Sequence, residues 1–287
     1  NPLLVSSNAS AAIDIPSIIY SRKQFNDISA RADIADGLLR ASLTSPNPAA
    51  DFALDAPATI TDDRYEYRLN ADVRNLDFMA LNLSESTLGT KMNVKSSGVV
   101  DLRNATYDLD AQINNLNVDI FDYNIATDRI SANLLSDADT TKMHIVNRDF
   151  VTDISANCLL DTLLLRLSLT ADELAQQFDR KFFTFSRLDS VLPQFSIKST
   201  LGRDNIVHQY CDYNDIEFNS VSLTAQNDSV FSLSGNINRL ELSSLRLDTI
   251  NLSIREKKEA LIYDMHIGNR PGNLDQMAKT NIHGFIR

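Results

Sequence analysis

Tyr67-Arg-Leu69-Asn-Ala71-Asp-Val73-Arg-Asn75-Leu76-Asp-Phe78 returns with different residues as Tyr107-Asp-Leu109-Asp-Ala111-Gln-Ile113-Asn-Asn115-Leu116-Asn-Val118. A third copy reads Phe231-Ser-Leu233-Ser-Gly235-Asn-Ile237-Asn-Arg239-Leu240-Glu-Leu242. Each copy sets an aromatic, a leucine, a small residue and a β-branched residue at every second position, with polar or charged residues between. A period of two sends the apolar set to one face of a strand and the polar set to the other. The predicted product is a sheet with one greasy face and one wet face.

Working outward, alternation begins near Ala11-Ala-Ile13-Asp-Ile15, runs through Ile28 to Ile34, turns at Asp36-Gly37 and returns along Leu38 to Leu43. Asp-Gly between two alternating runs is a strong hairpin signal. Ser45-Pro-Asn-Pro48 breaks the run, because proline cannot donate to a ladder. Further strands are predicted around 51–60, 65–74, 76–83, 87–95, 98–103, 105–114, 116–123, 125–135, 141–147 and 150–157. The short connections suit an antiparallel meander. Thr170-Ala-Asp-Glu173 has the form of a capping box, with Leu174, Phe178 and Phe182 following at helical spacing. A second turn of helix is expected from Leu188 to Leu192, ended by Pro193. The layout is therefore a β segment over 1–170, a helical insert over 171–193 lying on an open apolar face or edge, and a β segment over 194–287.

Composition narrows the function. The formal charge of −11 over 287 residues argues against binding nucleic acid or docking on an anionic bilayer. With 8 Gly, 7 Pro and no Trp, Asn and Asp must carry many turns, as at Asp62-Asp63, Asn114-Asn115 and Asn227-Asp228. No stretch approaches the roughly 20 apolar residues of a membrane-spanning helix. The absence of a signal peptide and of an initiating Met, with the strand-like end Asn281 to Arg287, suggests a piece of a longer protein.

Catalytic signals are absent. There is no phosphate loop, dinucleotide fingerprint, nucleophile elbow or zinc-protease motif, and no cofactor is implied. His144, His208, His266 and His283 share no ligand spacing, and His144 reads as a wet-face residue. Cys211 near His208 lacks a third partner. Cys158 reads as a small packed hydrophobe, and the sequence leaves its pairing open. Asp108 and Asp110 occupy outward strand positions, while Asp137-Ala-Asp139 lacks the glycine and terminal glutamate of a calcium loop and reads as a turn.

A sandwich core closes after about seven to nine strands, whereas alternation here continues through roughly twenty short ones. That points to an elongated, curled antiparallel sheet, all-β, with an apolar inner face suited to acyl chains. The inward candidates are Tyr67, Leu69, Val73, Tyr107, Leu109, Ile113, Phe231, Leu233 and Ile237. A closed β-sandwich that binds carbohydrate is the contrasting reading, and the lack of Trp weighs against it.

These strand units resemble those of the AsmA-like envelope proteins, and of the TamB group among them. Phe195-Ser-Ile-Lys-Ser-Thr-Leu-Gly202-Arg-Asp-Asn205-Ile, Asp215-Ile-Glu-Phe218-Asn-Ser-Val-Ser-Leu223 and Arg246-Leu-Asp-Thr-Ile-Asn-Leu252 are similar to TamB homologues of the Bacteroidetes type. The resemblance implies a periplasmic, U-shaped β-groove (a β-taco) in a parent protein anchored in the inner membrane. It implies phospholipid movement towards the outer membrane, acyl chains as ligands, and an outer-membrane barrel of the TamA type as partner. The alternative function within that resemblance is a scaffold that captures barrel strands by β-augmentation. The helical insert departs from an uninterrupted groove.

Overall fold

The computed structural model describes residues 8–20, 22–181, 184–243, 245–257, 260–269 and 279–286; Phe182 lies outside them. The protein is all-β, with seventeen strands of one antiparallel sheet and three short helices among the described residues. Its chain divides into two compact units, Asn1–Leu134 and Leu135–Arg287.

The first unit is a meander of β1 (Ala9–Tyr20), β2 (Lys23–Ala35), β3 (Leu38–Asn47), β4 (Ala50–Thr61), β5 (Arg64–Asp77), β6 (Leu88–Asp101) and β7 (Thr106–Ile120), each antiparallel to the next. Beyond them, β8 (Tyr123–Ser136) is tied to β7 by side chains. Arg129 Nε donates to Asn114 Oδ1 at 3.2 Å, and the Asn133 amide donates to Asp110. The Asp36-Gly37 hairpin forms as expected, with Ala35 facing Leu38 and both turn residues at positive φ (50° and 75°). A Cβ on Gly37 would stand 2.4 Å from the Ile60 carbonyl oxygen, so this turn admits nothing larger. Elsewhere Asp62, Ala105 and Phe121 take left-handed turn positions themselves, which is how so few glycines suffice.

Strand boundaries differ from the sequence expectation in an instructive way. The strand expected at 65–74 runs on through Asp77 as β5, and most of the strand expected at 76–83 does not form, whereas those at 105–114 and 116–123 are largely one strand, β7. What looked like a break is a β-bulge. Pairing shifts between Val73 and Leu76, and again between Lys91 and Asn93, which face Asn117 and Asn114. Asn115 takes a φ of 51° there. One extra residue reverses the facing of all that follow, so Leu76 and Leu116 keep the apolar face although their parity in sequence has changed. At Arg239, with φ of 52°, the register is unbroken, from Asn238–Thr249 to Leu240–Leu247. The Asn114-Asn115 pair thus serves a bulge, not a turn. Likewise 87–95 and 98–103 join as β6, and residues 78–87 form turns instead of strand.

The second unit holds β9 (Thr141–Asn147), β10 (Phe150–Ala156), α1 (Leu160–Arg180), α2 (Phe185–Val191), β11 (Phe195–Leu201), α3 (Ile206–Tyr213), β12 (Ile216–Glu217), β13 (Ser220–Asn227), β14 (Phe231–Leu242), β15 (Leu245–Lys257), β16 (Ala260–Gly268) and β17 (Lys279–Ile286). The antiparallel order runs β9, β10, β11, β13, β14, β15, β16, β17, with β12 a short addition beside β14. α1 starts at Leu160 rather than after Thr170. Its leucine-rich first half is strongly helix-forming. Thr170 therefore lies inside the helix, its hydroxyl donating to the Arg166 carbonyl at 2.7 Å instead of capping. α3 was not anticipated. Asn205 starts it, its side-chain oxygen accepting from the His208 N–H at 2.9 Å.

Buried asparagines close the strand ends. Asn47, Asn147 and Asn227 are each the last residue of a strand and each is buried. Asn47 accepts from the Asn26 N–H at 2.7 Å and donates to its carbonyl at 2.9 Å, beside the left-handed Asp27. Asn147 accepts from the Ile206 N–H at 2.8 Å, and Asn227 donates to the Pro193 carbonyl at 3.0 Å. Irregular backbone that leaves a ladder needs such partners, because a buried unpaired amide is costly.

Asp149, in the β9–β10 turn, accepts from the Asn205 amide at 2.7 Å and from the Asp204 N–H at 2.9 Å. Partial burial opposes its ionisation, but these donors outweigh it and hold the carboxyl below its ordinary range. A depressed folded-state pKa stabilises the fold above the unfolded value, about 4, and that contribution is lost as pH falls through the folded value. Asp149→Asn is therefore expected to lower the melting temperature at pH 7 and to change it much less at pH 3. Thermal melts at both pH values check this, and an equal loss at both would show that the charge does not matter.

Candidate functional site

The registers assemble the apolar positions into rows that cross the strands. In the first unit Ala30, Leu43, Leu54, Ala71, Val94 and Ile113 are successive facing residues on β2 to β7. A second row runs Leu39, Ala58, Tyr67, Gly98, Leu109. At ~4.8 Å per strand the first row spans roughly 24 Å. Most of these side chains are half-buried, shielded by their neighbours on the same face. Among the described residues this unit has strands and turns but no helix of its own.

Five of the six first-unit candidates share this face in a half-buried state: Tyr67, Leu69, Tyr107, Leu109 and Ile113. Leu69 faces Ser96, whose hydroxyl lies 3.0 Å from the Tyr67 hydroxyl. Tyr107 faces Val100, beside Tyr65. Leu109 folds across Gly98, where a Cβ would meet its Cδ2 at 2.5 Å, so the row stays smooth because the facing residue is a glycine. Val73 is different: it is 9% exposed, between Phe52 and Met92 at the bulge, and offers little contact area. Leu39, Leu43, Leu54 and Val94 also line the face and were missed. They lie outside the three copies, although β3, β4 and β6 carry the same alternation.

In the second unit one row runs Met143, Ile154, Ile197, Ala225, Leu233, Ile254 and Tyr263. Ile237 stands in another, between Val221 and Ile250. Phe231 is in a different situation, since its ring packs against Phe185 of α2 with centroids 5.7 Å apart. The helices do lie on an apolar face, and Phe231 is under them.

The opposite face is hydrophilic and holds the hollows. One of about 750 Å³ in the first unit is lined by Asp55, Asn70, Asp72, Asn93, Lys95 and Gln112, among others. Asn93 donates to Asp72 at 2.6 Å. One of about 490 Å³ in the second unit contains Asn236, Asn251, Asp264, His266, Asn281 and His283. Here Asn236 bonds Asn251, His266 bonds Asn281 and His283 bonds Asp264, each at 2.5 Å. Neighbouring strand residues contribute apolar atoms to the same hollows, Leu54, Ala71 and Val94 to the first and Leu252, Met265 and Ile282 to the second.

The remaining polar groups have structural roles. His144 pairs with Asp153 on exposed strand, at 2.7 Å. Asp137 accepts from the N–H groups of Asp139 and Thr140, as a turn should, and these bonds lower its pKa. His208 bonds the Phe218 carbonyl at 3.0 Å and meets the Phe218 ring edge-on. Among the described residues no three His, Cys, Asp or Glu side chains are grouped to hold a metal ion. No helix of the described residues is long and apolar enough to cross a membrane. No family model, curated protein or solved structure matches this chain.

Cys158 and Cys211 are free, and burial pushes the Cys211 thiol up. An activated thiolate requires the opposite shift. Alkylation of Cys211 by iodoacetamide is expected to be slower than that of glutathione at pH 7.5, to climb through pH 8.5 without a plateau, and to accelerate in urea. A plateau below pH 8, followed by peptide mapping, would identify an activated thiol instead.

Proposed function

We propose that the apolar face is a non-enzymatic conduit for lipid acyl chains, working in phospholipid transport between membranes. One observation carries this reading. The first unit's rows of Leu, Ile, Val, Ala and Tyr cross six strands, and among its described residues the unit has no helix or second sheet of its own to cover them. A sheet normally buries such a face against helices or a second sheet.

Aliphatic chains ask nothing of the face but apolar area and continuity. Each buried methylene contributes about 0.8 kcal/mol. Since nothing on the face is placed to read a headgroup, selectivity among lipids should be weak.

The periplasmic setting, an inner-membrane-anchored parent and a TamA-type barrel partner follow from the resemblance to TamB-like proteins and belong to this proposal.

The test is photo-crosslinking in cells with a benzophenone side chain at Leu109 or at Asp108. These adjacent positions point to opposite faces of β7, and Asp108 is exposed. Phospholipid adducts are expected at 109 and not at 108. Equal labelling would remove the distinction between faces on which the conduit depends. No adduct at either position, in folded protein, would leave strand capture at a sheet edge as the better reading.

A further inference from the structure

The second unit's apolar face is not open along its whole length. At one end Phe231, Ile254 and Leu261, on β14, β15 and β16, meet Phe185 and Leu188 of α2, with Leu174 and Leu192 alongside. Phe185 is only 1% exposed. A phenylalanine and a leucine pressed onto a lipid-compatible wall supply the kind of contact an acyl chain would make there.

The attachment of α2 is narrow. The helix has seven residues and no side-chain cap at its start, so on its own it would not hold together in water. It is held by that apolar seat, by Gln177 of α1, which donates to the Thr184 carbonyl at 3.1 Å and accepts from its N–H at 2.9 Å, by Arg166 and Thr170 of α1, which donate to the Leu192 and Val191 carbonyls at 3.1 and 3.5 Å, and by Asn227 on Pro193. The buried stripe of α1 is Leu163, Thr170 and Gln177, two of which are polar. Its large apolar side chains Leu164, Leu167 and Phe178 are 56%, 46% and 77% exposed. The pair is thus clasped to the sheet at one end, not embedded in it.

We propose that α2 is a plug: Phe185 and Leu188 occupy the acyl-chain position at this end of the second unit's apolar face, and a lipid chain reaches it by displacing them. The inference rests on the reading of the apolar face as an acyl-chain conduit. Phe185 and Leu188 act by competition, so the plug adds control without adding chemistry.

The test uses the purified chain with vesicles of phosphatidylethanolamine and phosphatidylglycerol, and a benzophenone side chain at Leu233 or, as reference, at Leu109. Leu188→Cys with Leu261→Cys, in a Cys158→Ser/Cys211→Ser background, locks the plug when oxidised and frees it when reduced. Phe185→Ala weakens the seat by a route that needs no disulfide. Lipid adducts at 233 are expected to fall about fivefold on oxidation and to recover with reductant, and Phe185→Ala to raise them about threefold, with labelling at 109 constant throughout. Labelling at 109 together with adducts at 233 that ignore both the lock and Phe185→Ala would overturn the plug and leave the conduit standing. If the disulfide does not form, the Phe185→Ala arm alone decides. Loss of labelling at 109 in every sample would remove the conduit, and the plug with it.

Discussion

An antiparallel meander satisfies its backbone strand by strand, because every N–H and C=O in the ladder finds its partner on the next strand. It does nothing for its faces. With a period of two, the apolar side chains of every strand collect on one face, and area removed from water depends on what lies against that face. In the first unit neighbouring side chains shield one another partially, as Leu109 does where it folds across Gly98. Cohesion in this unit therefore comes from ladder bonds and side-by-side packing more than from a closed interior. Everything else about the molecule follows from that uncovered face.

Keeping one face continuous across long twisted strands requires local corrections. The bulges after Val73 and at Asn115 shift the facing by one residue at the same place in the first two repeats. Those repeats accordingly change parity there, from Val73 to Leu76 and from Ile113 to Leu116, whereas the register of the third with β15 is unbroken between Ile237 and Leu240. Where the ladder ends, buried asparagines take over, since one side chain can both accept from and donate to backbone, as Asn47 does at Asn26. The composition rich in asparagine has a structural use beyond turns.

These devices explain what was legible in the sequence. Alternation gives strand identity and facing directly, so the class of fold and the common face of Tyr67, Leu69, Tyr107, Leu109 and Ile113 could be read from one period. The bulges were misread as loops because a parity change looks the same in one dimension whether the strand stops or slips. The start of α1 was missed because Thr170-Ala-Asp-Glu173 imitates a cap in the middle of a helix, and local chemistry cannot report that leucines upstream already propagate it. Phe231 was read as open wall because its coverage depends on Phe185, a contact between segments far apart in sequence. Val73 was read as open for the same reason, with Phe52 and Met92 supplied by neighbouring strands.

The two faces also divide the electrostatic work. Acidic side chains are paired locally: Arg74 with Asp51 and Asp72, Arg239 with Glu241, and, between two turns, Arg103 with Asp63. These pairs are exposed and individually weak. Their arginines nevertheless lower the pKa of Asp51 and Glu241 and keep the face charged. A well-hydrated charged face discourages stacking of one sheet on another, which an uncovered apolar face otherwise invites. The net charge of −11 can thus be understood as the counterpart of the first unit's apolar rows, a repulsion that works against association through them.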